Sequence, residues 1–378
     1  MNYYFAPLEG ITGYIFRNTH HAFYPGVDRY YAPFISPAKE GSMTPREKNE
    51  MAPEHNAGIC VVPQVMTNKA DFFIRAVQDL RELGYHEVNL NLGCPSGTVT
   101  AKGKGAGFLA RPDELEQFFD KVFSCKEIAD MQISVKTRLG KNDPEEFREL
   151  LKIYNWYPIS ELTVHPRIQK DFYKGAVRMQ YFDYALLHSE NPLVYNGDLC
   201  SIKDIADKKA HIDAIMHPDG ENERGLMKTA GEIERNAMQP DGEKNEKVTA
   251  MMLGRGLLKN PELIMWQKEA GERQQGKNDT VAGRTEVSRI LGEERLTETQ
   301  LKEERQIDYV RLKAFHDELY ARYKEVMSPD KNVLYRMKEL WAYLGDSFEG
   351  CEKQLKQIRK AEHFAEYDAA VTILFQNA

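Results

Sequence analysis

Asn89-Leu-Asn-Leu-Gly-Cys-Pro95, an apolar run that ends abruptly in Gly-Cys-Pro, is the stretch that decides how this chain folds. The run predicts a β-strand over residues 87–91, and the glycine and proline behind it end that strand. A glycine-rich stretch, Lys102-Gly-Lys-Gly-Ala-Gly107, follows and lets backbone approach a ligand closely. Cys94 therefore stands at the carboxyl end of a strand, where parallel α/β proteins bind ligands. It is either a small, semi-buried residue or a reactive group that faces a bound molecule, and the rest of the chain favours the second.

Short apolar runs alternate with helical patterns on both sides of this strand. Seven further runs predict strands over residues 3–6, 30–34, 58–64, 132–137, 161–165, 192–196 and 250–253. Amphipathic stretches predict helices over residues 69–83, 112–123 and 144–154. Strands that alternate with helices form parallel sheets, and eight strands close a (β/α)₈ barrel. We therefore predict an α/β fold, a (β/α)₈ TIM barrel, with an open doubly wound sheet as the alternative.

The second half of the chain departs from this alternation. A polar stretch at about 217–247 is typical of a surface insertion before the last strand, and another at 271–300 is typical of a linker or a barrel edge. Apolar residues at helical spacing over 306–327, 332–344 and 352–364 predict a C-terminal all-α helical domain. The expected domains are a barrel over residues 1–270 and a helical domain over residues 301–378.

The composition is that of an ordinary globular protein, with 42% hydrophobic and 29% charged residues in a chain of 378. No apolar run approaches the ~20 residues of a membrane span, and the first residues lack the pattern of a signal peptide. We therefore expect a cytoplasmic protein with no membrane partner. The five cysteines are scattered and form no Cys-X-X-Cys pair, so neither a metal site nor a disulfide framework is expected.

The charge of the chain gives a mixed indication about nucleic acid. A net charge of −7 argues mildly against such a partner, because phosphate binding draws on lysine and arginine. A local basic surface is nevertheless enough for binding. Between Lys331 and Lys360 there are seven lysines and arginines against four acidic residues. That surplus is either a solvated helix face or a surface for phosphates.

Six polar or glycine-rich clusters lie at or just beyond the predicted strand ends, which a barrel gathers on one face. They are Ala6-Pro-Leu-Glu-Gly-Ile-Thr12, Gln64, the Asn89–Cys94 run, Lys136 with Arg138, His165 with Arg167, and the pair Asn196-Gly-Asp198 and Gly254-Arg-Gly256. The last pair follows strands seven and eight, where such barrels often bind phosphate through backbone N–H groups. Ordinary turn glycines beside a solvated arginine are the alternative.

Three single residues in these clusters also bear on ligand binding, and two of them have a second interpretation. Lys136 lies in an apolar strand, where an inward ammonium costs several kcal/mol unless an anion pairs with it; a lysine that reaches outward has no such need. Gln64 suits an amide contact to a planar heterocycle. His165 is either a ligand contact or a satisfied core histidine. Because all the clusters fall in one register along a barrel, we favour a ligand-binding face.

In this order, the motifs resemble those of the dihydrouridine synthase family, the flavin-dependent enzymes that reduce uridine in tRNA. The resemblance covers about residues 1–261. It rests on Ala6–Thr12, Asn89–Pro95 with Gly103-Lys-Gly-Ala106, Val135-Lys-Thr-Arg-Leu-Gly140, Val164-His-Pro-Arg167 with Tyr173-Lys-Gly175, Tyr195-Asn-Gly-Asp198 and Leu253-Gly-Arg-Gly256. The chain departs from the family in the 217–247 stretch and at Pro166, where the family often has glycine.

This resemblance implies that Cys94 is the catalytic acid, that FMN is the cofactor, and that NADPH or NADH reduces it. It also implies that tRNA is the partner, held in part by the helical domain; we expect a monomer without metal. The implied flavin contacts are Pro7, Leu8, Glu9, Gln64, Lys136, His165, Asn196, Gly197, Asp198, Gly254 and Arg255. The expected substrate contacts are Asn91, Arg138 and Arg167.

The residues suit that chemistry. Reduction of the uracil C5–C6 bond needs a hydride at C6 and a proton at C5, and a thiol of near-ordinary pKa is mostly protonated at pH 7. Lys136 beside a flavin ring would stabilise its developing negative charge, and a uridine inside folded tRNA has to be extruded to react. Two alternatives stay open. One is an FMN-dependent barrel reductase of a small molecule, and the other is a catalytically inactive RNA-binding barrel protein.

Overall fold

The structure, a computed structural model, describes residues 1–37, 42–217, 247–269 and 306–378. The expected insertion at 217–247 and the expected linker at 271–300 lie, apart from their first or last residues, outside this description. The described chain forms two compact units, one of Met1–Glu9 with Asp28–Leu253 and one of Gly10–Val27 with Gly254–Ala378. The domain bounds expected from the sequence stay a prediction, because the segment that would separate the domains is not described.

In the described residues, the first unit contains one sheet of nine strands in the order β3-β2-β1-β9-β8-β7-β6-β5-β4. All of its strand pairs are parallel. The strands are β1 Asn2–Phe5, β2 Arg29–Tyr31, β3 Val61–Val62, β4 Gln64–Val65, β5 Glu87–Leu92, β6 Gln132–Arg138, β7 Leu162–His165, β8 Leu193–Asn196 and β9 Val248–Leu253. Each predicted strand is present, and the third is divided in two.

Pro63 causes that division, because proline has no N–H to donate to a strand ladder. The first half, β3, pairs with β2, and the second half, β4, pairs with β5. Ile35, just after β2, closes the gap: its N–H donates to Gln64 O at 2.7 Å, and its carbonyl accepts from Met66 N at 2.8 Å. The two ends of the sheet therefore meet, which confirms the predicted barrel.

Helices lie in both units of the described chain. Those that lie wholly within the described residues are, in chain order, α1 Tyr14–Phe23, α2 Pro45–Glu50, α3 Ala70–Glu82, α4 Gly97–Thr100, α5 Pro112–Phe123, α6 Glu146–Asn155, α7 Met179–His188, α8 Ile202–Met216, α9 Arg255–Lys259, α10 Tyr309–Val326, α11 Asp330–Leu344, α12 Glu352–Lys360 and α13 Phe364–Gln376. The three helices predicted between strands correspond to α3, α5 and α6. No helix among the described residues is long and apolar enough to cross a membrane.

The barrel interior is apolar on one side and charged at its amino-terminal end. Residues of β1, β2, β3, β8 and β9 form the apolar cluster Tyr4, Ala6, Tyr31, Val62, Val194, Ala250 and Met252. At the amino-terminal end of the strands, Arg29 NH1 lies 3.0 Å from a carboxylate oxygen of Glu87 and 3.2 Å from one of Glu161. The Tyr4 hydroxyl donates to Glu161 at 2.9 Å. This end of the barrel is therefore held by an ionic cluster.

The second unit is helical, and α1 belongs to it although α1 follows the first barrel strand. The Phe315 ring of α10 packs edge-on against Phe16 and Tyr24, with ring centroids 5.9 and 5.2 Å apart. The predicted C-terminal helices are present as α10, α11 and α12. The predicted continuation of α12 to residue 364 is wrong, because Ala361 turns to extended backbone (φ −55°, ψ 129°).

The sequence analysis did not predict α13, which begins after that turn. Its buried residues Tyr367, Ala370, Val371 and Leu374 have the i, i+3, i+4, i+7 spacing of a helix face. α12 is short and buries only Ile358 along its length. The reversal of the chain lets a second helix pack on it and complete the core.

His316 of α10 is buried and hydrogen-bonded through both ring nitrogens. Nε2 lies 2.7 Å from the Tyr367 hydroxyl and Nδ1 lies 2.9 Å from Asp317 Oδ1. Trp341 Nε1 donates to the same hydroxyl at 2.7 Å. Because the Tyr367 hydroxyl accepts from Trp341, it donates its own hydrogen to His316 Nε2. The neutral His316 ring therefore carries its hydrogen on Nδ1. Burial lowers the pKa of His316, in agreement with a neutral ring.

We predict that this histidine makes stability depend on pH. Its folded-state pKa is lowered, so its contribution is complete above the unfolded-state value of about 6.5 and is lost as the pH falls below it. The stability difference between wild type and His316→Gln should shrink by up to about 1.4 kcal/mol per pH unit below pH ~6.5. Urea unfolding at several pH values, followed by tryptophan fluorescence, measures this. If the free energy of unfolding changed with pH in the same way for the two proteins, the prediction would be contradicted.

Candidate active site

The carboxyl ends of β5, β6 and β7 bring several candidate residues side by side. Asn91 of β5 is in register with Lys136 of β6, and Arg138 of β6 is in register with His165 of β7. Cys94 follows β5 on the turn that the sequence analysis singled out. One edge of the barrel therefore holds the predicted acid, two cations and the predicted histidine on neighbouring strands.

Asn91 holds the turn that carries Cys94. Its Oδ1 accepts hydrogen bonds from the backbone N–H groups of Gly93 at 3.0 Å and Cys94 at 2.9 Å. Its Nδ2 donates to Gln64 Oε1 at 2.7 Å, and Gln64 Nε2 donates to Asn89 Oδ1 at 2.8 Å. All three amide side chains are buried. The position of the cysteine is thus set by amides on two adjacent strands.

The same series of hydrogen bonds continues to the other end of the barrel. Asn89 Nδ2 donates to Ser134 Oγ at 3.0 Å, and Ser134 Oγ donates to Glu87 Oε1 at 2.7 Å. Arg29 pairs with Glu87. The sequence analysis did not assign a role to Ser134 or to the Asn89 side chain. The signal for them was present, because asparagines at alternate positions of an apolar strand lie on one face.

The Cys94 thiol is half-buried, and burial raises its pKa. A thiol whose pKa is raised stays protonated at neutral pH, which suits the predicted role of proton donor better than that of a nucleophile. The glycine-rich stretch supports the turn: Ala106 N donates to Cys94 O at 3.0 Å. Gly105 has φ +54°, and a Cβ there would lie 2.8 Å from Cys94 O. Only glycine fits this close approach.

Lys136 is a cation without a carboxylate partner among the described residues. Burial, and then the neighbouring Arg138 cation, lower its pKa to about 7. An anion placed beside Lys136 would raise that pKa again and would keep the ammonium charged. Its environment is therefore suited to an anionic or electron-rich group.

Arg138 is almost completely buried and is held by backbone carbonyl groups. Its Nε donates to Gly93 O at 2.8 Å and its NH1 donates to Ile168 O at 3.1 Å. Its guanidinium carbon lies 5.3 Å from the centre of the Tyr173 ring. Arg138 thus joins the Cys94 turn to the loop that follows β7.

Arg167 is also buried, and it orients His165 and Asp198. NH1 and NH2 bond the two carboxylate oxygens of Asp198 at 3.0 and 2.5 Å, and NH1 lies 3.0 Å from His165 Nε2. Because a guanidinium only donates, Nε2 accepts, and a neutral His165 carries its hydrogen on Nδ1. Asp198 has φ +46°, an uncommon conformation for a non-glycine residue. Its carboxylate bridge to Arg167 holds that conformation.

The loop after β8 is tightly packed at the expected phosphate side of the site. Asn196 Nδ2 donates to Met252 O of β9 at 2.7 Å. A Cβ on Gly197 would lie 2.9 Å from Val177 Cγ1 and 3.2 Å from the Tyr195 hydroxyl oxygen. Glycine is therefore required here by space rather than by backbone conformation.

The remaining candidates lie on two further segments. Pro7, Leu8 and Glu9 follow β1, and the Glu9 carboxylate contributes to the raised pKa of Cys94, which places it near the thiol. Gly254 and Arg255 belong to the second unit, where Arg255 begins α9. The roles that the sequence analysis gave to the individual residues stay predictions.

A profile of the family described as "Dihydrouridine synthase (Dus)" matches residues 4–228, which is more than half of the chain. The chain belongs to this family. The match includes the second half of β1, the strands from β2 to β8 and every candidate residue except Gly254 and Arg255. The resemblance noted from the motifs is thereby confirmed.

Curated relatives agree with this assignment. The chain is 28% identical over 202 residues to a "Probable tRNA-dihydrouridine synthase 1" of Synechocystis, covering 52% of this chain and 54% of that protein. It is 25% identical over 272 residues to a "Probable tRNA-dihydrouridine synthase" of Staphylococcus epidermidis, covering 71% of each. The match thus spans little more than half the length of the Synechocystis protein.

Solved structures show only a distant likeness. A morphinone reductase mutant in complex with tetrahydroNAD has a TM-score of 0.46 at 9% identity, over 71% of this chain and 86% of that chain. The old yellow enzyme from Trypanosoma cruzi has a TM-score of 0.42 at 9% identity, over 71% of this chain and 88% of that chain. At these scores neither likeness bears on the chemistry of the family member described here.

We predict that Asn91→Ala loosens the Cys94 turn. It leaves two backbone N–H groups and Gln64 Oε1 without their partner, which should lower the free energy of unfolding by about 1–3 kcal/mol. The rate of Cys94 alkylation by iodoacetamide should also change. Asn155→Ala is the matched control, since Asn155 likewise bonds through both ends of its amide, to His188 O and Glu190 N, away from the turn. If both variants left Cys94 reactivity at the wild-type value, Asn91 would have no positioning role.

Proposed function

We propose that the protein is an FMN-dependent oxidoreductase that reduces specific uridines in tRNA to 5,6-dihydrouridine, with NADPH or NADH as reductant, in the cytoplasm. The observation that carries this proposal is the fixed, protonated Cys94 thiol beside the Lys136 cation that lacks a carboxylate partner. The names of the curated relatives support tRNA as the substrate. Membership of the family supports the reaction class.

The residues present fit an FMN group. Lys136 offers a positive charge to the electron-rich part of the ring, and no described carboxylate competes for it. Gln64 has one amide hydrogen and one lone pair beyond its bonds to Asn89 and Asn91, but its side chain is buried and would have to be uncovered to contact the edge of a heterocycle. The Asn196–Asp198 turn would face the phosphate side. When bound, reduced FMN supplies the hydride for C6 of the uracil.

The chain itself supplies the proton and the positioning. Cys94 donates its thiol proton to C5 of the uracil, and its raised pKa keeps that proton in place until it is transferred. The Asn91 amide fixes the direction from which the thiol approaches. Arg167 fixes the His165 ring through Nε2, so that Nδ1–H is its donor. Per turnover, one uridine, one NAD(P)H and one proton give one dihydrouridine and one NAD(P)⁺.

The proposed binding surface for RNA is a stripe of lysines in the second unit. Lys353, Lys356 and Lys360 lie at i, i+3, i+7 along α12 and are exposed. With Ala369 and Ile373 of α13 they line a groove of about 550 Å³. A chain of net charge −7 that binds RNA has to concentrate its cations locally, and this stripe does so.

We predict that the purified protein is yellow and that Cys94→Ala separates cofactor binding from turnover. The variant should bind FMN and be reduced by NADPH, yet lose ~10²–10⁴-fold in dihydrouridine formation, because it lacks the acid. Mass spectrometry of nucleosides from treated, unmodified tRNA measures the product. Cys60→Ala, at an exposed cysteine of the same unit, is the control and should keep full turnover.

Three results would contradict parts of this proposal. A colourless protein that binds no added FMN would remove the flavin chemistry altogether. Wild-type turnover by Cys94→Ala would leave the reaction class intact and remove the thiol from it. Turnover of a small enone or free pyrimidine, with none on tRNA, would identify a small-molecule reductase instead.

We also predict that reversing the α12 stripe weakens tRNA binding alone. Binding of tRNA by the wild type should weaken steeply with salt, and the triple variant Lys353→Glu, Lys356→Glu, Lys360→Glu should raise the KM for tRNA and reduce its salt dependence, because it removes phosphate contacts. NADPH oxidation without tRNA should not change. Reversal of Lys203, Lys208 and Lys209 on α8 alters the net charge equally and is the control. An equal rise in KM for both triple variants would mean that only overall charge matters.

A further inference from the structure

Phe172 lies in the loop after β7 with a strained backbone and an exposed ring. Its φ of 52° and ψ of −104° fall where residues with a side chain are rarely found. Its side chain is 45% exposed, so no apolar core accounts for its position. Strain of this kind persists where the surroundings fix it, and it concentrates at binding sites.

Asp171 fixes the loop in this conformation. Its Oδ2 accepts from Ile168 N at 2.9 Å and pairs with Arg178, and its carbonyl accepts from Lys174 N at 2.9 Å. Phe172 N donates to Gln169 O at 3.1 Å. The ring is therefore presented to solvent by a hydrogen-bonded loop rather than by a loose one.

The loop is continuous with the candidate active site in the same unit. The next residue, Tyr173, stacks on His165 with centroids 6.3 Å apart and planes at 27°, and it lies over the Arg138 guanidinium. Phe172 is thus the neighbour of a ring that contacts two candidate residues. A ligand that contacts the exposed side of Tyr173 would therefore lie next to Phe172.

The charges around Phe172 indicate what would cover it. Lys170 and Lys174 flank the loop, are exposed and form no ion pair with a described residue. An exposed aromatic ring between two cations is the combination that binds single-stranded nucleic acid, where bases stack and lysines meet phosphates. Lysine is depleted at protein–protein interfaces, which makes a protein partner the poorer match.

We propose that Phe172 is a stacking platform for an unpaired base next to the reacting uridine, with Lys170 and Lys174 on the adjacent phosphates. The proposal rests on the proposed function in one respect, that the substrate is RNA. Extrusion of a uridine breaks its stacking on both neighbours. The Phe172 ring replaces one of those lost stacks and so sets which neighbouring base is preferred.

Kinetics of the holoenzyme with unmodified tRNA test the aromatic face. Phe172→Leu keeps an apolar side chain but removes the ring, and it should lower kcat/KM for tRNA about 5- to 150-fold. Phe172→Tyr keeps the ring and should restore the wild-type value. NADPH oxidation without tRNA should stay unchanged in both. Leu187→Ala is the matched control, because Leu187 is also 45% exposed on the same unit.

A binding measurement separates failure of this proposal from failure of the proposed function. Phe172→Trp places a reporter in the loop, and oligouridylate RNA or unmodified tRNA should quench its fluorescence, whereas Leu187→Trp should not respond. Suppose that the wild type forms dihydrouridine, that Phe172→Leu has the same kcat/KM as the wild type, and that RNA does not quench the fluorescence of Phe172→Trp. The stacking role is then overturned and the proposed function stands. If no dihydrouridine forms but the quenching occurs, the stacking role stands and the function fails. Absence of both overturns both.

Discussion

A single series of hydrogen bonds runs through the barrel from the carboxylate of Glu87 to the backbone N–H of Cys94. The groups between them are Ser134, Asn89, Gln64 and Asn91. Each side chain donates to one neighbour and accepts from another. None can rotate without leaving a buried polar atom unpaired, which costs more than the bond itself contributes. The place of the thiol is therefore tied to the ionic cluster at the opposite end of the barrel.

This polar series divides the barrel interior. The strands from β8 through β1 to β3 supply an apolar cluster, and β4, β5 and β6 supply the amides and the hydroxyl. Hydrophobic packing on the apolar side is not directional, so it stabilises the barrel but does not orient individual side chains. The hydrogen-bonded side has direction, and it is the side that leads to Cys94, Lys136 and Arg138. Stability and positioning thus come from different sectors of one barrel.

At the carboxyl edge of the barrel, the buried charged side chains also depend on their hydrogen-bond partners. Arg138 and Arg167 are both buried, and each is satisfied by carbonyl or carboxylate oxygens of neighbouring loops. Lys136 is the exception, since no described carboxylate pairs with it. Its pKa is lowered to about 7 by burial and by Arg138. The two arginines therefore order the site, and the proposed role of the lysine is to meet a bound group.

Much of the architecture could be read from the chain alone. Apolar runs between helical patterns predicted the strands to within about three residues, because burial on both faces of a parallel sheet leaves a continuous signal. Turn residues marked the Cys94 position. The division of the third strand at Pro63 and the helix α13 were missed. Hydrophobic spacing hardly changes when a proline lies inside a short apolar run. It also hardly changes when a second helix follows a turn of only three residues.

The sequence by itself determined the fold class, the family and the residue types at the strand ends. Only the tertiary structure decided what those residues do to one another. Gln64 and Asn91, or Arg167 and Asp198, are separated by 27 and 31 positions, and their bonds exist because strand register and loop conformation bring them together. The local sequence pattern indicates which side of the sheet a residue faces, but it does not indicate which residue on the next strand lies beside it. The motifs therefore pointed to a cysteine, a lysine and two arginines, and the fold shows the arginines bonded to the neighbouring loops and the cysteine held on its turn.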